Sequence, residues 1–271
     1  MKKLVGVVVL AFLSVTSYAQ EINQRNVPAV VLNAFQVKFP NAYDIEWRLE
    51  KGYYQVNFEV NNKDNKLVMS DKGILLSHNK DLYVSEIPAV VLATIQSEVP
   101  FYDVYDADRL EEGGRIIYKV NFEISGKDHD FEIDDNGQIL KYTKELKDSE
   151  VPAPIANMIK SKYGELDIDY ARYHEENEKI SYYIKGEIND KDNDFWFNEN
   201  ASLIKHNQDL RNSEIPVSIQ NTIKARYEGF EIRDADLIEE NGKTIYDLEL
   251  RNSKNKVHLI LNPKGEILEI K

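Results

Sequence analysis

Asp190-Lys191-Asp192-Asn193-Asp194 sets carboxylates at alternate positions, the spacing with which a calcium loop surrounds its ion. Such a loop also needs Gly at its sixth position and Glu at its twelfth, where this chain has Phe195 and Ala201. The equivalent stretches Asn62-Lys63-Asp64-Asn65-Lys66 and Gly126-Lys127-Asp128-His129-Asp130 are polar without that pattern. The string therefore reads as a hairpin turn, with cation binding as its alternative use. Asp106 with Asp108, and Asp234 with Asp236, are spaced two apart, which on a strand sets both carboxylates on one face about 7 Å apart. Acid–base chemistry uses such pairs, but no nucleophile, metal set or oxyanion loop accompanies them, so they read as a solvated strand face. His78 and His206 occupy equivalent places, yet Tyr142 stands between them in the series, and both read as polar residues leaving a strand. The chain has no His-Glu-x-x-His, no Gly-x-Ser-x-Gly and no phosphate loop. It has no Cys, which removes disulfides, Cys-ligated metals and a thiol nucleophile. The expectation is a protein that is not an enzyme, with no cofactor and no metal.

Aromatic residues are the better lead: the chain has 16 Tyr, 10 Phe and two Trp. Tyr54, Tyr118, Tyr182 and Tyr246, with Phe131, Phe195 and Phe197, fall at alternate positions on the face expected to pack on helices. The opposite face carries Tyr53 and Val68, Ile117, Tyr183 and Trp196, and Ile245 and Ile260 among charged residues. A half-apolar outer sheet face suits a protein or peptide partner, because Tyr and Trp supply much of the energy at such interfaces. Trp47, Tyr53, Tyr105, Tyr173, Tyr183 and Trp196 are the candidate anchors.

The elements that must position them are written four times. Ser85-Glu86-Ile87-Pro88, Ser149-Glu150-Val151-Pro152 and Ser213-Glu214-Ile215-Pro216 recur at a spacing of 64, and Arg25-Asn26-Val27-Pro28 is a degenerate first copy. Longer echoes lie over these, as Asp106-Ala107-Asp108 returns at Asp234-Ala235-Asp236 and His78-Asn79 at His206-Asn207. Within a copy, Pro opens a helix with apolar residues at helical spacing. Then the period switches to two, as in Tyr54, Val56, Phe58 and Val60, and Asp134-Asp135-Asn136-Gly137 supplies a tight turn. Each copy reads as one helix and four antiparallel strands. The fold class is α+β, with four tandem α/β4 units at 27–86, 87–148, 149–214 and 215–271, paired into modules 20–148 and 149–271.

Met1-Lys2-Lys3, an apolar run from Leu4 to Val15 and Ser17-Tyr18-Ala19 make a secretory signal peptide over residues 1–19, cut near Ala19. The chain of 271 residues carries 47 Asp and Glu against 34 Lys and Arg, a net charge of −13 that repels nucleic acid. The mature chain is expected in the periplasm or secreted, without membrane insertion.

Ile45-Glu46-Trp47-Arg48-Leu49, Tyr54-Gln55-Val56-Asn57-Phe58 and Tyr118-Lys119-Val120-Asn121-Phe122, set in this order of elements, resemble the PepSY-like family, also called β-lactamase-inhibitor-like (BLIP-like). The likeness covers residues 27–271. It implies exported, non-catalytic proteins that present a curved antiparallel sheet to a protein or peptide partner, and it supplies no catalytic residues. The alternative is a cation- or small-ligand-responsive envelope protein using the acidic turns. The third copy departs from the pattern at Gly186, where Phe58 and Phe122 stand in the first two, and at Ala201, where the turn Gly stands.

Overall fold

The computed structural model describes residues 20–99 and 103–271. The signal peptide expected over residues 1–19 lies outside the described residues. A short strand, β1 (Gln20–Ile22), leads into a 3-10 turn, helix α1 (Ala29–Lys38) and strands β2 (Tyr43–Glu50), β3 (Tyr53–Val60), β4 (Lys63–Met69) and β5 (Leu75–Asp81). The same order follows with α2 (Ala89–Glu98), β6 (Asp103–Glu112), β7 (Arg115–Ile124), β8 (Lys127–Asp134) and β9 (Ile139–Glu145). It continues with α3 (Ala153–Lys162), β10 (Asp167–Glu176), β11 (Lys179–Glu187), β12 (Asp192–Asn198) and β13 (Leu203–Asp209). Last come α4 (Val217–Arg226), β14 (Glu231–Glu240), β15 (Lys243–Arg251), β16 (Lys256–Leu261) and β17 (Ile267–Ile270).

The recurring Ser-Glu-Ile/Val-Pro string is a structural joint. Its Glu folds back to cap a 3-10 turn: the carboxylates of Glu86, Glu150 and Glu214 accept from the backbone N–H of Tyr83, Lys147 and Arg211 at 2.8, 2.8 and 2.9 Å. The next residue, Ile87, Val151 or Ile215, is buried. Pro then stands at the head of the helix, where a missing N–H costs nothing. In the first copy, which lacks the Glu, Asn23 caps instead, its Oδ1 accepting from Arg25 N–H at 3.0 Å.

The chain divides into two compact units, one of residues 20–87 with 107–117, the other of residues 88–99, 103–106 and 118–271. In the first, β1 to β6 pair antiparallel in sequence order. Val31 and Phe35 of α1, one helical turn apart, pack on Trp47, Val56, Phe58 and Leu67. In the second, β8 to β17 likewise pair in order. Ile155 and Ile159 of α3 lie over Ala171, Ile184, Phe195 and Phe197, while Ile219 and Ile223 of α4 lie over Ala235, Tyr246, Leu248 and Leu259.

The strands do not form separate four-stranded sheets; within each unit the last strand of one copy pairs with the first strand of the next. The reason is the open edge that each copy's last strand would otherwise leave. The first strand of the following copy covers it: β6 on β5, β10 on β9 and β14 on β13.

The two equivalent histidines are also placed differently from expectation. His78 and His206 are buried beneath the sheet, not exposed where a strand leaves it. Asn65 Nδ2 donates to Lys63 O, which turns Asn65 Oδ1 toward His78 Nε2, and this nitrogen donates to it at 2.9 Å. His206 Nε2 makes the same bond to Asn193 Oδ1 at 3.0 Å. Burial, aided by the positive charges of Lys38 and Arg109, lowers the His78 pKa to about 4. Burial also lowers that of His206, against the opposing pull of Glu239.

Candidate binding face

The outer face of β10 to β13, opposite α3, is built by one irregularity. The β10–β11 register shifts between Ile168 and Tyr170. This bulge at Asp169 reverses the in–out parity, so Tyr170 comes to the outer face beside Arg172 while Ile168 and Ala171 pack inward. The fourth copy has the same shift between Ile232 and Asp234 opposite Leu250, so the bulge alone does not demand a glycine at Gly186. A Cβ there would stand 2.1 Å from Asp167 O and 2.9 Å from Asp167 C. The departure at Gly186 is thus the place where the bulged backbone of β10 approaches β11.

In consequence Arg172 pairs with Tyr183, Tyr183 with Trp196 and Trp196 with Lys205, a straight row over four adjacent strands. The Tyr183 and Trp196 rings lie 5.1 Å apart, and Tyr170 is 6.0 Å from Tyr183. Arg172 and Lys205 flank the rings: the Arg172 guanidinium stacks 5.4 Å from the Tyr170 ring and Lys205 Nζ sits 5.0 Å over Trp196, and the next positions outward in the row are Glu145 and Glu240. Tyr183 donates its hydroxyl to Asp194, fixing the ring. Burial, then that bond, raises the Tyr183 phenol well above its ordinary value, so it remains a donor at neutral pH. Tyr183 and Trp196 are half-buried.

Of the six candidate anchors, the structure brings together only Tyr183 and Trp196. Trp47 is 2% exposed, 5.4 Å edge-on to Phe35 in the core of the first unit, and is no surface anchor. A register shift between Tyr43 and Glu46 sets its parity, and with it the inward direction of the ring. Tyr173 is half-buried and packs against the core under α3, edge-on to Tyr182 at 5.6 Å, with its hydroxyl donating to Glu175 at 2.6 Å. Tyr53, in the first unit, and Tyr105, in the second, are 48% and 61% exposed, apart from this row. Sequence reasoning missed Tyr170, Arg172 and Lys205; the available signal was the alternation of period two, once the bulge is allowed for.

The acidic motifs fall nearby. Asp192 and Asp194 stand on β12 while Asn193, between them, bonds inward to His206. Asp209 pairs with Asp236, and Asp236 with Asp247, so three carboxylates share a row. Burial, then the charge of Asp234, then the Asp209 and Asp247 carboxylates push the Asp236 pKa up to about 7. The pair Asp234 and Asp236 is therefore a crowded strand face, not the freely solvated one expected. Among the described residues no group of three or more His, Asp or Glu is placed to hold a metal. Among them, too, no helix is long and apolar enough to cross a membrane.

No curated protein matches the chain. Several solved structures are similar over part of it, three of them as follows. A BLIP-like protein from Bacteroides fragilis has 20% identity over 46% of this chain and 93% of its own, with a TM-score of 0.37. A DUF2874 family protein from Bacteroides uniformis has 18% identity over 47% and 94%, also at 0.37. One from Bacteroides ovatus has 19% identity over 42% and 85%, again at 0.37. The sequence matches the β-lactamase-inhibitor-like, PepSY-like family over residues 13–77, 53–141 and 181–269, most of its length, and the chain belongs to that family.

Proposed function

We propose that this chain is an exported, non-catalytic binding protein, active in the periplasm after cleavage near Ala19, that holds a protein or peptide on the outer face of β10 to β13. Its four helix-plus-four-strand copies act as two modules, 20–148 and 149–271. The observation that carries the reading is the Tyr183–Trp196 pair, 5.1 Å apart on the sheet face that α3 does not cover. A folding core has no use for two aromatic rings there, whereas an interface draws its strongest contacts from them.

Capture from periplasmic extract by the mature chain, beside a Tyr183→Ala/Trp196→Ala variant, tests it. A partner held by the parent and lost by the variant, with a thermal midpoint within about 3 °C of the parent, is expected; both rings lie outside the buried core, and surface changes shift stability little. Equal capture by both proteins, or a variant that loses its cooperative transition, overturns the reading and makes the pair packing.

A further inference from the structure

We infer that His206, Glu239 and Tyr163 form a proton-operated latch between the third and fourth copies, closed when the His206 ring carries two N–H groups and open when it carries one. The three residues come from β13, β14 and the C-terminal cap of α3, so the latch spans the joint where one copy's last strand meets the next copy's first. His206 is 1% exposed, with the Phe195 ring stacked on it at 4.4 Å and the Tyr163 ring at 4.2 Å.

Both ring nitrogens of His206 face acceptors. On one side stands Asn193 Oδ1, 3.0 Å from Nε2. Two bonds fix that atom as the oxygen: Asn193 Nδ2 donates to Lys191 O at 2.8 Å, and Gln208 Nε2 donates to Asn193 Oδ1 at 3.0 Å. On the other side stands Glu239 Oε2, 3.3 Å from Nδ1. A neutral imidazole has one N–H, so with Nε2 donating to Asn193 it turns a lone pair toward the carboxylate. An imidazolium donates to both, and its bond to Glu239 is charge-assisted.

The carboxylate is held in place for this. Glu239 Oε2 accepts from the Tyr163 hydroxyl at 2.5 Å and from Lys162 Nζ at 3.1 Å. Burial opposes the charge on Glu239, but these two donors outweigh it and keep its pKa below the usual range, so it stays ionised in mild acid. Burial, then the bond to Glu239, pushes the Tyr163 phenol up to about 12, and it remains a donor. At the ring itself burial resists the proton most and Glu239 draws it, while Lys162 on α3 repels it and Asp194 on β12 favours it. Thr244, opposite Glu239 on β15, brings no charge.

The first copy has most of the parts without the latch. His78 is also buried and donates to Asn65 in the same way, and Glu111 lies opposite it as Glu239 lies opposite His206. Phe39, however, caps α1 where Tyr163 caps α3, its ring 5.3 Å from His78 and without a hydroxyl to hold a carboxylate. Arg109 engages Glu111 instead, at 3.1 Å.

The test follows the histidine rings of the full mature chain by nitrogen-15 NMR from pH 8 to pH 4, with His78, titrating at about 4, as internal reference. His206 is expected to take its proton at a higher pH than His78 and then to show two N–H groups. Glu239→Gln should lower the His206 midpoint by about one pH unit, a tenfold loss of proton affinity, and Tyr163→Phe by about half as much. Neither should move His78. The cost of Glu239→Gln to the thermal midpoint should also grow as pH falls through the His206 titration, because only the protonated ring uses the carboxylate. Should Glu239→Gln fail to fold, Tyr163→Phe removes one hydroxyl and gives the same reading. A His206 midpoint that either folded variant leaves in place, or one no higher than that of His78, overturns the latch.

Discussion

The third and fourth copies, residues 149–214 and 215–271, lie in one unit with their strands in matching register, yet their outer rows are opposites. The third reads Arg172, Tyr183, Trp196, Lys205; the fourth, at the same places, reads Asp236, Asp247, Ile260, Glu269. Their inner faces are near-equivalent, with Ile184 answering Leu248 and Phe195 answering Leu259, all fully buried. Packing under a helix restricts the inner face to apolar side chains of matched volume. The outer face has no such restraint, and there the copies have separated into an aromatic shelf flanked by Arg172 and Lys205 and a crowded carboxylate row.

The largest effect should come from making the third copy like the fourth at its bulge. Leu250 occupies, fully buried, the place that Gly186 holds in the third copy. Gly186→Leu sets a Cβ 2.1 Å from Asp167 O, so β10 must move away and the core beneath α3 opens. Overpacking of this severity costs about 3 kcal/mol, or roughly 6–12 °C of thermal midpoint by calorimetry. Tyr170 and Arg172 should keep their outward direction, because the fourth copy holds the same shift opposite Leu250. An unchanged midpoint would show that β10 moves away from β11 there without cost.

A smaller, pH-dependent effect belongs to the fourth copy. The ordinary pKa of Asp236 is 3.8 and in the folded chain it rises to about 7. The folded state thus holds a proton that the unfolded chain releases between those values, and stability declines as pH rises through that window. Asp236→Asn removes the charge responsible. It should stabilise the protein by about 1–2 kcal/mol at pH 8, allowing for solvent screening of a half-buried group, and change nothing at pH 4. Urea melts at the two pH values measure this. Equal gains at both would assign the effect to something other than carboxylate crowding.

The repeat itself was plain in the sequence because local chemistry enforces it. The Glu cap, the Pro at the helix head and the period of two each act within a few residues, and they read out four helices with their strands. Facing direction was less legible. In-versus-out parity in a strand reverses at every bulge, and the shifts at Tyr43–Glu46 and Ile168–Tyr170 decide where Trp47 and Tyr170 point. Neither shift carries a local signature, and the fourth copy has the same shift as the third with Leu250 where Gly186 stands. His78 and His206 were misplaced for a similar reason, since their partners Asn65 and Asn193 lie 13 residues away across a hairpin. The Tyr183–Trp196 pairing was legible as a shared face, but its two cations required the register of four strands.

The smallest effect tests whether the third copy departs from the others at the cost of strain. Its last hairpin turns at Ala201 with φ +58°, whereas Gly137 and Gly265 turn at φ +86° and +81°. At Gly265 a Cβ would come 2.5 Å from Ser218 O on α4, and at Gly137 one would come 2.7 Å from Val90 on α2. Ala201 instead packs its methyl against the core of its own copy, so the clash is absent and the left-handed backbone cost remains. Ala201→Gly removes about 1 kcal/mol of that cost but gives up the methyl contact and adds freedom to the unfolded chain. The net gain should be about 0.5 kcal/mol, while Gly265→Ala, which adds strain and a backbone clash together, should destabilise. Opposite signs at equivalent positions, measured by denaturant melts, would place the third copy's divergence in its hairpin geometry as well as on its outer face; a loss at Ala201→Gly would mean that the methyl contact outweighs the backbone strain.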